Sequence, residues 1–264
     1  GDKNLNQPLD ALGITGVFTK DLDIALLNNE IDIAVHSLKD VPTILPQNIE
    51  VSAVLERDFP QDVLVRKSSS KNKDLADLKI ATSSLRRRAF WSEKFPNTQF
   101  SDIRGNVQTR LKKLEEGDFD ATLFSLAGIK RMEMELEYEM LDFMISAPSQ
   151  GVVAISSRVD DKETKAILKK LNHKTTQICV EIERNFLRTL EGGCTAPIGA
   201  IAVFEENKIK FSGRVNSLDG GETINVVEEF EYDESENYGK KFAEFVLENG
   251  GKEMMEVIKK QIKE

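Results

Sequence analysis

Apolar and polar positions recur with different periods along the chain, and these periods predict the order of helices and strands. A first helix is indicated by apolar residues at helical spacing, namely Phe18, Leu22, Ala25 and Leu26. The apolar run 31–35 that follows predicts a short strand. Residues 78–127 then alternate between the two periods, with strands at 78–82, 99–103 and 120–127 and helices at 85–95 and 107–116. This βαβαβ order is typical of a parallel, doubly wound sheet.

The pattern changes beyond residue 172. The helix predicted at 175–190 has one apolar face, made by Ile178, Ile182, Phe186 and Leu190. Cys179 flanks this face, so we interpret it as a packing residue. Three strands follow at 198–204, 208–215 and 223–232, with a hairpin turn at 219–221, and two amphipathic helices close the chain at 236–248 and 252–263. This part of the chain is therefore predicted to form a small α+β unit.

The composition narrows the classes of function. The chain is 40% hydrophobic and contains no apolar run near the roughly 20 residues needed to span a bilayer, so we expect no membrane partner. A net charge of −9 argues against a nucleic-acid partner, because polyanions bind basic surfaces. Two cysteines fit a reducing compartment, and no zinc spacing or phosphate-binding glycine motif is present. We therefore expect no metal, and any anion site must be local.

Basic residues collect near the ends of the predicted strands. The first turn of the helix at 85–95 contains three of them, namely Arg86, Arg87 and Arg88. The helix dipole is already positive there, so a bound anion would relieve the repulsion. Arg104 ends the next strand, Arg110 lies one turn into the helix after it, and Arg131 follows the third strand. Lys39 could face this group from the other lobe. Arginine forks match carboxylates, which predicts a ligand with several carboxylates or phosphates. For any single arginine, a solvated surface position is the alternative.

Three other side chains are candidates for chemistry. Cys194 follows two glycines that allow a bulky group to come close, so its thiol is suited to covalent attachment; the alternative is a small apolar residue under a turn. Asp40 stands beside Lys39 and can act as an acid or base if burial raises its pKa; the alternative is a capping or turn residue. Phe18 is suited to stacking on a planar ligand, with core packing as the alternative.

The chain also contains motifs that are specific in combination, namely DIAVHSLKDVP, ERDFPQD, TSSLRRR, DIRGNVQTRL, ATLFSLAGIKR, LNH followed by ERNFL, and EGGCTAPIG. In this order the chain resembles the porphobilinogen deaminase (hydroxymethylbilane synthase) family over nearly all of its 264 residues. The resemblance implies an α/β fold of two periplasmic-binding-protein-like doubly wound lobes plus a small C-terminal α+β domain. We place the first lobe at 1–57 and 147–172, the second at 58–146, and the C-terminal domain, which carries the cofactor cysteine, at 173–264.

The same resemblance implies a transferase of porphyrin and heme biosynthesis. Such an enzyme joins four porphobilinogen molecules into the linear tetrapyrrole hydroxymethylbilane and releases ammonia at each step. Cys194 would hold a dipyrromethane cofactor through a thioether, and Asp40 would be the catalytic carboxylate that assists loss of the amino group and stabilises cationic pyrrole nitrogens. The cofactor-binding residues would include Lys39, Ser84, Arg86, Arg87, Arg104 and Gly105. The substrate-binding residues would be Arg110, Arg131, Phe18 and Ser37. The family further suggests a cytoplasmic monomer.

The chain departs from the family pattern in three places. The family begins with an additional N-terminal segment that contains strands of the first lobe, and we expect that the sequence omits this segment or represents a clipped form. Thr15 stands where the family often has a lysine, and SAPSQG around Gln150 replaces a form richer in glycine. Two other functions stay open, a two-lobed anion-binding protein and a cofactor-free, inactive fragment.

Overall fold

The computed structural model describes residues 19–190 and 196–263. Phe18, Thr15 and Cys194 lie outside the described residues. Within the described ranges the α-helices are α1 Lys20–Leu27, α2 Leu85–Lys94, α3 Val107–Glu116, α4 Leu126–Arg131, α5 Lys162–Leu168, α6 Lys174–Thr189, α7 Tyr238–Val246 and α8 Lys252–Lys263. None of the helices in these ranges is long and apolar enough to cross a membrane.

The first sheet has three described strands in the order β1, β8, β2. Their bounds are β1 Ala34–Ser37, β2 Ile49–Val54 and β8 Val153–Arg158. The central strand β8 pairs antiparallel with both neighbours, and Leu38, Val54 and Ala154 are buried beside it. The strand predicted at 31–35 begins later, at Ala34, because its ladder with β8 starts there. The turn Leu38–Asp40 follows β1 directly, which puts Lys39 and Asp40 just beyond the strand, as the sequence predicted.

The second sheet has five strands in the order β5, β4, β6, β3, β7. Their bounds are β3 Asp62–Arg66, β4 Ile80–Ala81, β5 Phe100–Ser101, β6 Ala121–Ser125 and β7 Glu139–Met140. β4 pairs parallel with β5 and β6, which confirms the parallel βαβαβ unit. β3 and β7 add to this unit in the antiparallel sense. The core between this sheet and its helices contains Leu64, Phe90, Trp91 and Leu123, all fully buried.

The third sheet is an antiparallel meander in the order β9, β10, β11. Its strands are β9 Ile198–Glu205, β10 Lys208–Asn216 and β11 Thr223–Glu231, and the predicted hairpin turn joins the last two. Helix α6 packs on one face, with the Phe186 ring 5.3 Å from the Phe211 ring. A Cβ on Gly213 would lie 2.8 Å from Phe186, so the close fit between sheet and helix requires glycine there. The α+β unit predicted for this region is confirmed.

Helix α6 connects the first and third sheets. Its buried Glu183 accepts hydrogen bonds from Arg57 after β2, from the Ser149 N–H before β8 and from the Ala202 N–H on β9. Arg184, the next residue of the helix, donates to backbone carbonyls between Leu38 and Pro42. The predicted fold class, two α/β lobes and a small C-terminal α+β unit, is confirmed, and the residue boundaries between them stay a prediction.

Candidate active site

A cavity of about 200 Å³ lies where segments of the three sheets meet. Its polar lining consists of Lys39, Asp40, Ser84, Arg86, Arg87 and Gln150. Apolar walls are supplied by Leu187 of α6, by Ala196 before β9 and by Ile198 at the start of β9. The cavity therefore brings together the turn after β1, the start of α2 and the start of β9, which are far apart in sequence.

Lys39 and Asp40 enter the cavity from the turn after β1. Leu38, only 1% exposed, anchors this turn in the core. Burial raises the pKa of the Asp40 carboxyl, and the charges of Lys39, Arg87 and His36 oppose this effect. Burial lowers the pKa of Lys39 to about 8, with the charge of Asp40 acting in the other direction. The Lys39 ammonium donates to Gln150 Oε1 at 3.2 Å, which holds it at the cavity wall.

Arg86 and Arg87 enter from the first turn of α2, which Ser84 caps by accepting from the Arg87 N–H. Both guanidinium groups bind Asp62, the first residue of β3, with N–O distances of 2.7 and 2.8 Å. Burial alone would raise the pKa of Asp62, but the charges and hydrogen bonds of Arg86 and Arg87 hold it well below its usual range. The sequence predicted that a bound anion balances these arginines. Asp62 already balances part of their positive charge.

Arg110 of α3 adds a further cation beside Arg87. Both side chains donate to the carbonyl of Leu123, so their guanidinium groups are neighbours. Arg110 lies over the Phe124 ring at 4.2 Å, and its buried Nε has no hydrogen-bond partner among the described residues. Burial, together with the charge of Arg87, lowers the pKa of Arg110 to about 9. Arg87 and Arg110 carry like charges close together, so a bound anion would relieve their repulsion.

Comparison with known proteins gives the family. A family model described as "Porphobilinogen deaminase, dipyromethane cofactor binding domain" matches residues 1–166, and a second, for the C-terminal domain of the same enzyme, matches residues 177–248. The chain belongs to the porphobilinogen deaminase family. A probable porphobilinogen deaminase of Methanocaldococcus jannaschii is 50% identical over 210 residues, which cover 78% of this chain and 71% of that protein. The porphobilinogen deaminase of Chlorobium luteolum is 40% identical over 270 residues, covering 98% and 86%.

A comparison with solved structures gives similarities at low sequence identity. The VFT2 domain of Bordetella pertussis BvgS matches with a TM-score of 0.37 and 16% identity, covering 58% of this chain and 66% of that one. A similarity at this level carries no argument about ligand or activity. The fold described above therefore rests on the chain's own strands and helices and on the porphobilinogen deaminase family models.

Among the described residues, those predicted from the porphobilinogen deaminase resemblance that do not line the cavity are Arg110, described above, and Arg131, Arg104, Gly105 and Ser37. Arg131, at the end of α4, donates to the Gly151 carbonyl at 3.2 Å and lies 4.0 Å from Asp58. Arg104 is half-buried in the loop after β5, followed by Gly105 in a positive-φ conformation. Ser37 ends β1. The ligand contacts assigned to these residues stay predictions.

Of the two cysteines, only Cys179 lies among the described residues. Cys179 is 3% exposed on α6, and burial raises the pKa of its thiol to about 11, which confirms that it is a packing residue. Cys194 and Phe18 lie outside the described residues, so their assigned roles stay predictions. Among the residues that the structure describes, no cluster of His, Cys, Asp and Glu is suited to a metal ion.

Sequence reasoning missed Asp62 as the partner of the two cavity arginines. The signal was present, because Asp62 is a charged residue directly before the three apolar residues of the strand DVLVR. A carboxylate in such a position needs a buried cation. The same reasoning also missed Arg184, whose hydrogen bonds hold the turn that carries Asp40.

Proposed function

We propose that the cavity beside Asp40 is the active site of this chain. As a member of the porphobilinogen deaminase family, the chain is a transferase that joins four porphobilinogen molecules head to tail into hydroxymethylbilane with release of ammonia. The observation that carries the location is one carboxylate with a raised pKa facing a group of cationic side chains across a small cavity. Porphobilinogen supplies both complementary features, because it has two carboxylates and an amino group that must leave.

The side chains present fit the dipyrromethane cofactor of the family, which also carries several carboxylates. Three cationic side chains, those of Lys39, Arg86 and Arg87, line the cavity, and Arg110 lies beside Arg87. The carboxylates of Asp40 and Asp62 balance only two of these four charges. The buried, unpartnered Nε of Arg110 points to the same excess of hydrogen-bond donors. When bound, the cofactor supplies the primer to which pyrrole units are added and which stays attached to the protein.

The family implies which residues attach and bind the cofactor, and the position of Ala196 at the cavity supports the attachment at Cys194. Cys194 would hold the cofactor through a thioether, and Ala196, two residues further along the chain, lines the cavity. The carboxylates of the cofactor and of the growing chain on it would be bound by Lys39, Ser84, Arg86, Arg87, Arg104 and Gly105. Arg110, Arg131, Phe18 and Ser37 would bind the incoming porphobilinogen.

Asp40 would do the chemistry on porphobilinogen. Its raised pKa brings the protonated form closer to neutral pH, so the carboxyl can assist departure of the amino group as ammonia. Once ionised, the same carboxylate stabilises the positive charge that develops on the pyrrole nitrogen. Lys39 and Arg87 keep a fraction of the carboxyl ionised, since both charges oppose the effect of burial.

Mass spectrometry and one substitution test this function together. The denatured chain should exceed its sequence mass by two linked pyrrole units, and the excess should map to the peptide that contains Cys194. Asp40→Asn should keep this excess but lose about 10²- to 10⁴-fold in turnover, because it removes the acid–base group and keeps its shape. A two-lobed anion-binding protein would show neither effect, and an inactive fragment would show an unmodified mass and no turnover.

We further propose that the enzyme acts as a cytoplasmic monomer on free porphobilinogen, without nucleic acid or a membrane. The support is the family alone. Light scattering on the purified protein gives the oligomeric state directly.

A further inference from the structure

A second polar cluster lies at the end of α2 that points away from the cavity. There Glu93 Oε2 accepts from Arg214 Nη1 at 3.1 Å and from Asn216 Nδ2 at 2.9 Å, both on β10. Asn216 is fully buried, and the Arg214 side chain is 21% exposed. Helix α2 is therefore fixed at its start by the two arginines bound to Asp62 and near its end by the third sheet.

The Phe90 ring connects this cluster to the cavity. Phe90 is fully buried on α2, and the guanidinium carbons of Arg86 and Arg214 lie 5.9 and 5.4 Å from its centroid. Both distances fall within the range of a cation–π interaction. One aromatic side chain thus contacts an arginine of the cavity and an arginine of the third sheet.

Two glycines show how tightly the third sheet fits against α2. A Cβ on Gly220, in the β10–β11 turn, would lie 2.5 Å from the Glu93 N atom. A Cβ on Gly199, at the start of β9, would lie 2.8 Å from the Phe90 ring and 2.9 Å from the Ile145 carbonyl oxygen. That carbonyl also accepts from Arg86 Nη1 at 2.7 Å. The third sheet therefore packs directly against α2 and against the Ile145 carbonyl that binds Arg86.

We propose that Arg214 is a positioning residue for the reaction. Through Glu93 and Phe90 it sets the orientation of α2 and so the place of the Arg86 guanidinium in the cavity. The inference rests on the proposed function, in which Arg86 binds carboxylates of the cofactor and the growing chain. Because binding and reaction depend on the placement of charged groups to within about 1 Å, a change at Arg214 should alter substrate binding even though it touches no ligand.

A purely structural role for Arg214 predicts a different result. A partly exposed ion pair contributes little to stability, so its loss would lower the melting temperature slightly and leave KM unchanged. The two roles are therefore separated by comparing KM with kcat and with the melting temperature.

The experiment uses Arg214→Gln, Glu93→Gln and the double variant, with Lys210→Gln as the control. Lys210 is also on β10, but its ammonium pairs with Glu205 of β9 at 2.7 Å and not with α2. For each protein, KM and kcat for porphobilinogen, the melting temperature and the cofactor-loaded fraction by intact mass are measured. Either single variant should raise KM about tenfold with kcat changed less than twofold, and the double variant should equal a single one. The control should match the parent.

The outcomes are distinct. Unchanged KM in both single variants would overturn the positioning role, as would a rise in KM that the control shares. Additive effects of the two substitutions would show that Arg214 does not act through Glu93. Because Glu93→Gln alters the other partner, a folding failure of Arg214→Gln leaves the test intact. Arg86→Gln distinguishes a failure of the proposed function from a failure of the inference about Arg214. If Arg86→Gln leaves KM and the cofactor-loaded fraction unchanged, the proposed function of Arg86 fails. If Arg86→Gln changes them and the Arg214 and Glu93 variants do not, only the inference about Arg214 fails.

Discussion

The charge of Lys39 changes within the pH range in which the enzyme can be assayed. Its pKa is lowered to about 8 by burial, so the side chain is a cation at pH 7 and becomes neutral as the pH rises through that value. Neutral lysine binds carboxylates poorly. Since a hydrogen bond to a charged group contributes about 1.5–3 kcal/mol, KM for porphobilinogen should rise about tenfold or more between pH 7 and pH 9.5.

A Lys39→Arg variant provides the control, because an arginine ordinarily stays charged throughout this range. The variant should lose most of the rise in KM, whatever its own KM at pH 7. Any part that remains is expected from Arg110, whose pKa is lowered to about 9. A rise of equal size in both proteins would mean that another group, on the enzyme or on the substrate, is responsible.

Some residues of the site could be predicted from the sequence, and others could not. Lys39, Asp40, Arg86 and Arg87 were recognised because each follows a strand or opens a helix, where ligands of α/β proteins bind, and all four line the cavity. Asp62 was not recognised as the partner of the two arginines, because that pairing depends on how β3 packs beside α2. The pairing of an arginine with a buried carboxylate depends on tertiary packing, and the local sequence pattern does not predict it.

Secondary-structure elements were predicted best where their contacts are local. The helix predicted at 107–116 agrees with α3 at both ends, since Asn106 caps its start and Gly117 follows its last residue. The strands predicted at 78–82 and 99–103 shorten to two residues each, because only these residues pair in the ladder. β8 was not predicted, although it is the centre of the first sheet. Its two partners lie about a hundred residues away in sequence, so no local pattern marks its extent.

Helix α6 positions the turn that carries the proposed catalytic carboxylate. Arg184 donates to the carbonyls of Leu38, Val41 and Pro42, at 3.3, 3.0 and 2.6 Å. Arg184→Gln removes this fork, so Asp40 should lose its fixed place and kcat/KM should fall about 10- to 100-fold. Steady-state kinetics checks this prediction.

Arg188→Gln is the matched control for Arg184→Gln. Arg188 lies one turn further along α6 and donates to the carbonyl of Thr43, beyond the turn that carries Asp40. It should lose less than threefold in kcat/KM, because a single hydrogen bond on an exposed side chain contributes little. Equal losses in the two variants would mean that the helix as a whole, and not the Arg184 fork, holds the turn.

At the scale of the whole molecule, buried Glu183 joins the third sheet to segments that flank the first sheet. Its carboxylate accepts from Arg57 at 2.6 Å, from the Ser149 N–H at 2.6 Å and from the Ala202 N–H at 2.7 Å. Glu183→Ala removes all three acceptors at once and leaves the Arg57 guanidinium, 12% exposed, without its carboxylate. Loss of one partner of a buried pair costs about 3–5 kcal/mol.

Because these three donors belong to different parts of the chain, the loss should also reduce the cooperativity of unfolding. The parent should unfold in a single calorimetric transition, and Glu183→Ala should unfold in two, with the third sheet and its helices melting separately from the lobes. Glu181→Ala, an exposed change on the same helix, should keep one transition. A single transition in Glu183→Ala, merely shifted to lower temperature, would show that the apolar contacts between α6 and the lobes suffice to couple them. The carboxylate would then contribute to stability without being the link between the parts.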